Sequence, residues 1–513
     1  MNLKLNKLVV SALASTFLLG FGANAMADST FDLVQALIAK GVLTEEEGLA
    51  LMKSSEIEKR ETKKSASAPV FKDGLVIESG DGKSSVQLTG RVHSDYRIFN
   101  HDDGKNNPAL AAATITNSLT QANPLTGTQT GNGADTFDIR RARIGFKAKY
   151  KEFYEAELNA DISTGANTSV STTAWDVAYF NVAWWKEAQF RFGLFKMPMN
   201  LEELTSSNNI DFMERSYVNA LSPQKELGAM IHGLPYPGVT YALAVSNGNG
   251  KNVETDIRED GKDVIGRVTA NFAEMMTVPN KEVIYHVGAS YSNGDLSLPA
   301  AATAVGVGGR TESRGVSFFR APSVARATDD STNRTRMGLE GAFAYKNFKV
   351  QSEWLRQNND FSTATRGYDL DQDAWYLEAL WTISGENYAD NYKNGIFGAI
   401  KPSKDFDPDT FHGGAWEVGL RYNEFDASDY NSIGVSPTLG TDGQVTTKAG
   451  GFAKAKSYTA GLKFLPNSNM RFMINYVKTD FSDVIGGATG GVVLNNKRIN
   501  DEQAVLMRAQ WMF

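Results

Sequence analysis

The stretch 137–149 alternates apolar side chains with cationic ones. Successive side chains of a β-strand point to opposite faces, so this alternation predicts one apolar face and one basic face. A basic ladder on the wall of a low-dielectric pore attracts anions and passes them from site to site. The alternative is that carboxylates on neighbouring strands, such as Glu155 and Glu157, neutralise the ladder. The basic ladder consists of Arg141, Arg143, Lys147 and Lys149.

Two connecting segments could supply further contacts to anions. The segment 198–224 is rich in Leu, Ile, Phe and Met for an exposed loop, so we expect it to fold inward and narrow the pore; a lid or a subunit-contact loop is the alternative. The segment 294–332 carries Arg310, Arg314 and Arg320, and guanidinium groups bind phosphate bidentately. Alternatively, these arginines are solvated or bind the phosphates of lipopolysaccharide.

Patterns typical of enzymes and metal sites are missing from the sequence. It shows no P-loop, no Gly-x-Ser-x-Gly motif and no His-Glu-x-x-His motif, and its histidines are scattered. Two Asp triplets, within 369–373 and 405–409, have the alternating spacing of calcium loops but lack the Gly and Glu that complete the motif. We therefore expect no catalytic residue, no metal site and no cofactor.

The elements that must position the basic residues are short strands. Sixteen segments with strand character follow one another from residue 86 to the carboxyl terminus. They are 86–98, 137–149, 153–163, 174–185, 189–197, 225–233, 239–247, 262–273, 283–293, 333–345, 348–358, 373–383, 414–425, 457–464, 470–481 and 503–513.

The connections between these segments fall into two length classes, and tight turns mostly alternate with longer loops along the chain. The exception is 384–413, which is long but falls on the short-turn side. Outer-membrane barrels show this asymmetry between short periplasmic turns and long outer loops. We therefore predict an all-β fold, a sixteen-stranded antiparallel transmembrane β-barrel. A soluble β-sandwich has the same strand period but accommodates sixteen strands less readily.

The amino terminus differs from the rest of the chain. Two lysines, a short apolar stretch and the triplet Ala25-Met26-Ala27 are typical of a secretory signal at 1–27, cleaved before Asp28. Apolar residues at helical spacing predict a helical periplasmic segment and linker at 28–70, ahead of a barrel domain at 71–513. The net charge of −7 disfavours nucleic-acid binding, and the lack of cysteine excludes a disulfide framework.

Several segments, taken together, resemble the phosphate-selective porin O and P family. The likeness covers most of the barrel and implies a bacterial outer-membrane porin that assembles as a trimer. It also implies an inward-folded third loop and an arginine ladder that leads to a basic constriction. The segments are Asp138 to Lys147, Gly193-Leu194-Phe195-Lys196-Met197-Pro198, Phe212-Met213-Glu214-Arg215-Ser216, Asn219-Ala220-Leu221-Ser222-Pro223, Lys225-Glu226-Leu227-Gly228 and Gly414-Ala415-Trp416-Glu417.

The resemblance assigns roles to particular residues of this sequence. Arg140, Arg141 and Arg143 fall in the arginine-rich second strand, and Lys196 and Arg215 occupy motif positions near the third loop. The sequence departs from phosphate-specific members in its fifth loop, which offers arginines but no lysine. It also has third-loop carboxylates that lower the local positive charge, namely Glu202, Glu203, Asp211 and Glu214.

Together these observations predict a porin for passive diffusion of small anions, preferably phosphate or polyphosphate, through a basic lumen. Its expected partners are small anions, outer-membrane lipid, lipopolysaccharide and the other copies in a homotrimer. A general, weakly selective porin is one alternative, and a barrel that acts mainly as a structural or receptor protein is another. The predicted anion pathway comprises Arg140, Arg141, Arg143, Lys147, Lys196, Arg215, Arg310, Arg314 and Arg320.

Overall fold

The computed structural model describes most of the chain from residue 75 onward. The predicted signal peptide and nearly all of the predicted helical segment lie outside the described residues. The described residues are Thr44 and 69–71, 75–100, 119–120, 135–163, 174–248, 250, 262–276, 282–295, 303–324, 333–362, 366–434, 445–447, 449–485, 491–494 and 497–513.

Sixteen strands, labelled β1 to β16 in chain order, form a closed antiparallel barrel. Each strand pairs with the next, and β16 pairs with β1 from Gln503↔Asn100 to Met512↔Arg91, which closes the sheet. The predicted strand number and barrel fold are confirmed. The strands are β1 Ser85–Asn100, β2 Thr136–Tyr150, β3 Tyr154–Asp161, β4 Ala174–Val182, β5 Gln189–Lys196, β6 Lys225–Tyr236, β7 Val239–Ser246, β8 Asp263–Asn271, β9 Val283–Asp295, β10 Asn333–Tyr345, β11 Phe348–Ser362, β12 Gly367–Thr382, β13 Ala415–Asp426, β14 Gly450–Asn467, β15 Met470–Val484 and β16 Asp501–Met512.

The other elements are short. In the part of the chain that the structure describes, no helix is long and apolar enough to cross a membrane. The helices are α1 Leu201–Leu204, α2 Val218–Leu221, α3 Phe272–Met275 and α4 Asn431–Gly434, with 3₁₀ turns at Tyr388–Asn391 and Ser428–Tyr430. Further strands lie at Pro69–Phe71, Leu75–Glu78, Leu119–Thr120, Thr303–Ala304, Gly309–Arg310, Ser317–Arg320, Ser323–Val324, Tyr392–Lys393, Ile396–Phe397, Val445–Thr447, Val492–Leu494 and Lys497–Ile499.

The chain divides into two compact units. One consists of 70–76 and 84–513 and contains the barrel. The other consists of 1–69 and 77–83, and its described part includes a turn in which the Ser79 hydroxyl donates to the Asp81 carboxylate at 2.6 Å.

The barrel wall is polar inside and apolar outside. Along β15 the side chains of Ile474 and its alternate neighbours are exposed, whereas Arg471 is 2% exposed. This arrangement inverts that of a soluble domain, because the outer face meets lipid and the inner face meets the lumen. The parity that the sequence predicts for this strand is therefore confirmed.

Two strands extend beyond their predicted ends. β11 and β12 pair as far as Ser362↔Gly367, although the sequence predicts an end at residue 358 and a start at residue 373. The outer face of this extension carries polar residues, including Asp360 opposite Asp369, whereas its inner face carries the buried side chains of Phe361, Tyr368 and Leu370. The apolar outer row therefore stops before the hydrogen bonding does, and the loop is shorter than predicted.

One glycine allows β2 and β3 to approach each other closely. A Cβ atom at Gly145 would lie 1.9 Å from the Asn159 side-chain oxygen and 2.2 Å from the backbone oxygen of Leu158. Since the backbone of a paired strand cannot move away without breaking the ladder, this position requires glycine.

We expect Gly145→Ala to destabilise the barrel by about 1 to 3 kcal/mol, the usual effect of overpacking. The loss would appear as a lower unfolding temperature of the detergent-solubilised barrel, followed by its heat-dependent mobility on gels. Gly266→Ala is the matched control, because its Cβ would come no closer than 3.9 Å to the Leu243 side chain. Equal unfolding temperatures for the two variants would contradict the proposed clash.

Candidate functional site

The third loop, residues 197–224 between β5 and β6, lies inside the barrel. Met213 donates its backbone N–H to Asn475 of β15 at 3.4 Å, and Gln510 of β16 donates to the carbonyl of Asn208 at 3.2 Å. These strands belong to a different part of the wall from β5 and β6. The loop therefore crosses the lumen, as its apolar content predicts.

A carboxylate from the wall holds the start of α1. Glu353 of β11 accepts the backbone N–H groups of Leu201 at 2.7 Å and Glu202 at 2.8 Å. The first N–H groups of a helix have no partner within it, so they need an acceptor from elsewhere in the protein. Glu353 thus fixes the third loop to β11.

Two of the predicted anion-binding residues hold the other end of α1. Lys196 donates to the carbonyl of Thr205 at 2.9 Å, and Arg215 donates to the same carbonyl at 2.8 Å. Arg215 also lies 3.4 Å from the Glu203 carboxylate. Cations are favourable at a helix carboxyl terminus, so both side chains stabilise the third loop. Their contacts to the loop leave less of their hydrogen-bonding capacity for a permeating anion.

The fifth loop, residues 296–332 between β9 and β10, also packs inside the barrel. The Phe318 ring lies 5.7 Å from Tyr217 of the third loop, 5.5 Å from Phe425 and 5.6 Å from Phe481, centroid to centroid. Glu312 accepts from Thr459 of β14 at 2.8 Å. These contacts place residues 312–318 of this loop in the lumen.

Arg421 of β13 joins the two loops. Its guanidinium lies 3.1 Å from the Glu202 carboxylate of the third loop and contacts the Glu312 carboxylate of the fifth. It also donates to the carbonyl of Glu214 at 2.7 Å. Arg421 thus shares one positive charge between carboxylates of both loops and ties the loops to β13.

Three guanidinium groups, which we call the arginine cluster, surround the carboxylate of Glu214. Arg140 donates to both of its oxygens, at 2.8 and 3.1 Å, while Arg97 and Arg508 approach one oxygen at 3.0 and 3.2 Å. Asp95 of β1 also pairs with Arg97 and Arg508, each at 2.6 Å. The cluster joins β1, β2 and β16 to the third loop.

A β-bulge brings Arg140 and Arg141 to the same face of β2. The pairing of β1 with β2 shifts from His93↔Arg141 to Ser94↔Ile139, so Arg140 is the extra residue. A bulge re-aims side chains that simple alternation would send to opposite faces. Strand parity alone could not have placed Arg140 in the lumen.

The fifth-loop arginines add positive charge near this cluster. Burial, followed by the charge of Arg140, lowers the pKa of Arg314 to about 10. Burial, followed by the charge of Arg97, lowers the pKa of Arg310. For Arg320, burial alone accounts for the lowered pKa. The structure therefore brings Arg310 and Arg314 towards the cluster, but gives no sign that Arg320 joins them.

A cavity of about 760 Å³ extends from this level of β2 towards the turn end of the barrel. It runs past Gln189, the first residue of β5, and Leu234, near the turn end of β6. Its lining is strongly basic, since it contains eleven Arg and Lys residues and four carboxylates. The cations are Arg91, Arg140, Arg141, Arg143, Lys147, Arg191, Lys196, Arg215, Lys225, Arg267 and Lys393, and the carboxylates are Glu155, Glu157, Asp176 and Glu203.

Part of this positive charge is compensated by ion pairs. Arg143 pairs with Asp161 at 2.8 Å and with Asp176 at 2.7 Å, and Lys225 pairs with Asp176 at 2.6 Å. The sequence-based alternative of a neutralised ladder therefore holds for Arg143. The neutralising carboxylates are not Glu155 and Glu157, which accept from amide and phenol groups.

Other cations of the lining have no ion pair with any carboxylate that the structure describes. Arg141 is 6% exposed, and its Nε and Nη1 atoms have no hydrogen-bond partner among the described residues. Arg91 donates to the Ser207 hydroxyl at 2.8 Å, and Arg191 lies 4.4 Å from the ring centre of Tyr179. Lys147 likewise has no carboxylate within ion-pair distance in the described chain. These cations remain available to an anion in the cavity.

The long connection on the turn side, residues 383–414 between β12 and β13, reaches into the same cavity. Lys393, Asn394 and Ile396 line it. Tyr392 hydrogen-bonds to His286 of β9 at 2.7 Å, and the carbonyl of Gly395 accepts from Arg267 of β8 at 3.3 Å. This segment is long because it enters the barrel.

The structure therefore gathers eight of the nine predicted anion-pathway residues around the cavity and the cluster, with Arg320 as the exception. The predicted pathway lacked seven cations of the cavity and the cluster, namely Arg91, Arg97, Arg191, Lys225, Arg267, Lys393 and Arg508. Alternation along β1 and β5 could have indicated Arg91, Arg97 and Arg191. Among the described residues, no group of His, Asp or Glu side chains could hold a metal ion.

Solved structures of outer-membrane proteins are similar to this chain. The fold resembles the outer membrane channel DcaP of Acinetobacter baumannii, with 11% identity, a TM-score of 0.49 and coverage of 85% of this chain and 99% of that one. It also resembles a loop-deletion mutant of OmpT, an outer membrane protein of Vibrio cholerae, with 9% identity, a TM-score of 0.45 and coverage of 84% and 100%. A third similar structure is Salmonella typhi OmpF in complex with daunomycin, with 11% identity, a TM-score of 0.43 and coverage of 87% and 100%.

A search of the curated proteins finds no match to the sequence. The family model of phosphate-selective porin O and P matches residues 115–513, which include fifteen of the sixteen barrel strands. With a closed barrel whose lumen carries a basic cavity, the chain belongs to the phosphate-selective porin O and P family and is a porin of the bacterial outer membrane.

Proposed function

We propose that this porin is a passive channel for small anions and catalyses no reaction. The observation that carries the proposal is the buried guanidinium of Arg141, which lines the cavity and has two nitrogen atoms without a partner in the described chain. Burying an uncompensated charge is costly, and a passing anion would offset that cost. Attraction into the lumen, partial replacement of hydration by Arg and Lys donors, and release down the gradient would together transport the anion.

Phosphate and polyphosphate are the preferred substrates within this proposal. Guanidinium groups bind phosphate oxygens bidentately, and the cavity is lined by Arg91, Arg141 and Arg191 without carboxylate partners among the described residues. The name of the matched family points to the same ion. Binding must remain weak enough for the ion to leave, since a pore that holds its substrate tightly conducts poorly.

A general, weakly selective porin is the second candidate. Ion pairs compensate Arg143, Lys225 and Arg267, the last through Glu340 at 3.2 Å or less. Lys196 and Arg215 are occupied with the third loop. These pairings reduce the charge that a permeating ion experiences and favour moderate selectivity.

The proposed partners are the membrane and further copies of the chain. The outer face of the barrel exposes aromatic side chains near strand ends, such as Trp184, Trp185 and Trp511, which suit contact with lipid at the membrane interfaces. A homotrimer and contact with lipopolysaccharide are supported by membership of the porin family alone. The inward position of Arg310 and Arg314 leaves these two arginines unsuited to bind lipopolysaccharide.

The first test is single-channel recording of the purified protein in a planar bilayer under a KCl gradient, with phosphate then added. We expect a reversal potential of the sign for anion preference and a saturable block of chloride current by phosphate. A conductance without ion preference or block would identify a general porin. A protein that inserts but does not conduct would favour a structural or receptor role.

We expect Arg141→Gln to lower the ratio of chloride to potassium permeability. One unit charge about 8 Å from an ion in water contributes roughly 0.5 kcal/mol, a little more than twofold in permeability. Lys346→Gln is the matched control, because it removes the same charge from the turn between β10 and β11, where Lys346 lies 3.7 Å from Glu282. The proposal fails if both variants keep the reversal potential of the wild-type channel.

We expect the protein to be a homotrimer when it is extracted in mild detergent. Native mass spectrometry should then give a mass three times that of one mature chain. A monomer that retains full single-channel conductance would contradict the trimer and leave the channel proposal intact.

A further inference from the structure

The carboxylate of Glu214 lies where an oxyanion would bind in the arginine cluster. Both of its oxygens accept from Arg140, in the parallel two-bond geometry that guanidinium groups form with phosphate and carboxylate. One oxygen also lies 3.0 Å from Arg97 and 3.2 Å from Arg508. Three guanidinium groups therefore surround an anion that belongs to the protein.

The cluster remains positive in spite of this carboxylate. Asp95 and Glu214 are its carboxylate partners in the described chain, against Arg97, Arg140 and Arg508, and Arg141 adjoins the same group. Burial on its own would raise the pKa of Glu214, but Arg140, Arg314, Arg508 and Arg97 together lower it well below its ordinary value. Glu214 is therefore ionised and acts on a permeating ion as a fixed negative charge.

The main chain around Glu214 is held independently of its carboxylate. Arg508 donates to the carbonyl of Met213 at 2.6 Å, and Arg421 donates to the carbonyl of Glu214 at 2.7 Å. Only the side chain would need to move when another anion enters. Replacing the carboxylate by a neutral amide of the same shape should then leave the third loop in position.

Removing the negative charge of Glu214 would affect its arginine partners to different degrees. Asp95 accepts from Arg508 at 2.6 and 2.7 Å and from Arg97 at 2.6 Å. Both arginines would therefore still be paired with a carboxylate if Glu214 were replaced. Arg140 has its described ion pair with Glu214 alone. Removing the charge of Glu214 would therefore free Arg140 in particular.

We propose that Glu214 is a tethered anion that competes with permeating oxyanions such as phosphate for the arginine cluster. Each arriving ion must displace the carboxylate or share the cluster with it, and the returning carboxylate helps to expel the ion. Glu214 thus sets the affinity of the arginine cluster for the ion and keeps the dwell time of the ion short. This inference rests on the proposed anion-channel function and names a residue that tunes it.

The test compares Glu214→Gln with the wild-type channel by phosphate block of chloride current in a planar bilayer. The concentration for half-maximal block should fall at least about tenfold, since bonds to charged groups are the strong ones. The maximal phosphate current should fall as release slows. Asp211→Asn is the matched control, because it also removes a third-loop carboxylate, one that pairs with Lys349 at 2.6 Å and lies outside both the cavity lining and the cluster. It should shift the block less than about threefold.

A second variant separates competition from loosening of the loop. The double variant Glu214→Gln/Arg140→Gln lacks the guanidinium that the first substitution frees. The phosphate concentration for half-maximal block should therefore return towards the wild-type value. If the single Gln variant does not fold, Glu214→Asp tests the same point, because its shorter side chain reaches Arg140 less well and should tighten block. An unchanged or weaker block in the folded single variant overturns the proposal, as does tight block that persists without Arg140.

The same recordings distinguish this inference from the proposed function. If phosphate blocks the wild-type channel and its anion preference is clear, but Glu214→Gln is unchanged, only the competition by Glu214 is wrong. If phosphate fails to block the wild-type channel and blocks Glu214→Gln, competition stands and the wild-type phosphate preference is wrong. Failure to block either channel overturns both.

Discussion

The pair of hydrogen bonds from the amino end of α1 to Glu353 is the contact on which the lumen depends. Those bonds, at 2.7 and 2.8 Å, fix a loop that starts at β5 to a strand on another part of the wall. From that anchor the loop places Glu214 among the arginines and presents Glu202 to Arg421. Without a loop across it, a sixteen-stranded barrel would enclose a wide, weakly discriminating water channel. The narrow basic cavity is thus a product of loop and wall together.

The charges of the lumen fall into two groups with different consequences. The first group, Arg421, Arg508 and Arg143, forms ion pairs with carboxylates of the protein. These ion pairs fix loops and strands relative to one another. Arg91 and Arg141 have no such partner in the described chain. Truncating a member of the first group leaves an unpaired buried carboxylate and endangers the fold. The second group contributes mainly to the electric potential that an ion meets.

The sequence predicted the barrel almost completely, because a lipid-facing apolar row and a polar inner row repeat along every strand. It failed at the extension of β11 and β12, where the outer face becomes polar and the inner face carries buried apolar residues such as Phe361 and Leu370, the reverse of the pattern in the lipid-facing part of the barrel. The bulge that turns Arg140 inward depends on how β1 and β2 pair, which one strand cannot reveal. The sequence did not show that Lys196 and Arg215 bind the carboxyl end of α1, because these contacts depend on where α1 ends in the folded protein.

The insertion at 383–414 has a consequence for the direction of flow. It brings Lys393 into the cavity from the turn end, while the arginine cluster lies nearer the loop end, so the fixed charges are distributed unevenly along the axis. A charge near one mouth enriches counter-ions at that mouth, within roughly a Debye length. We therefore expect the two mouths to fill differently when the voltage is reversed, so that the resistance of the channel depends on the side from which the ion arrives.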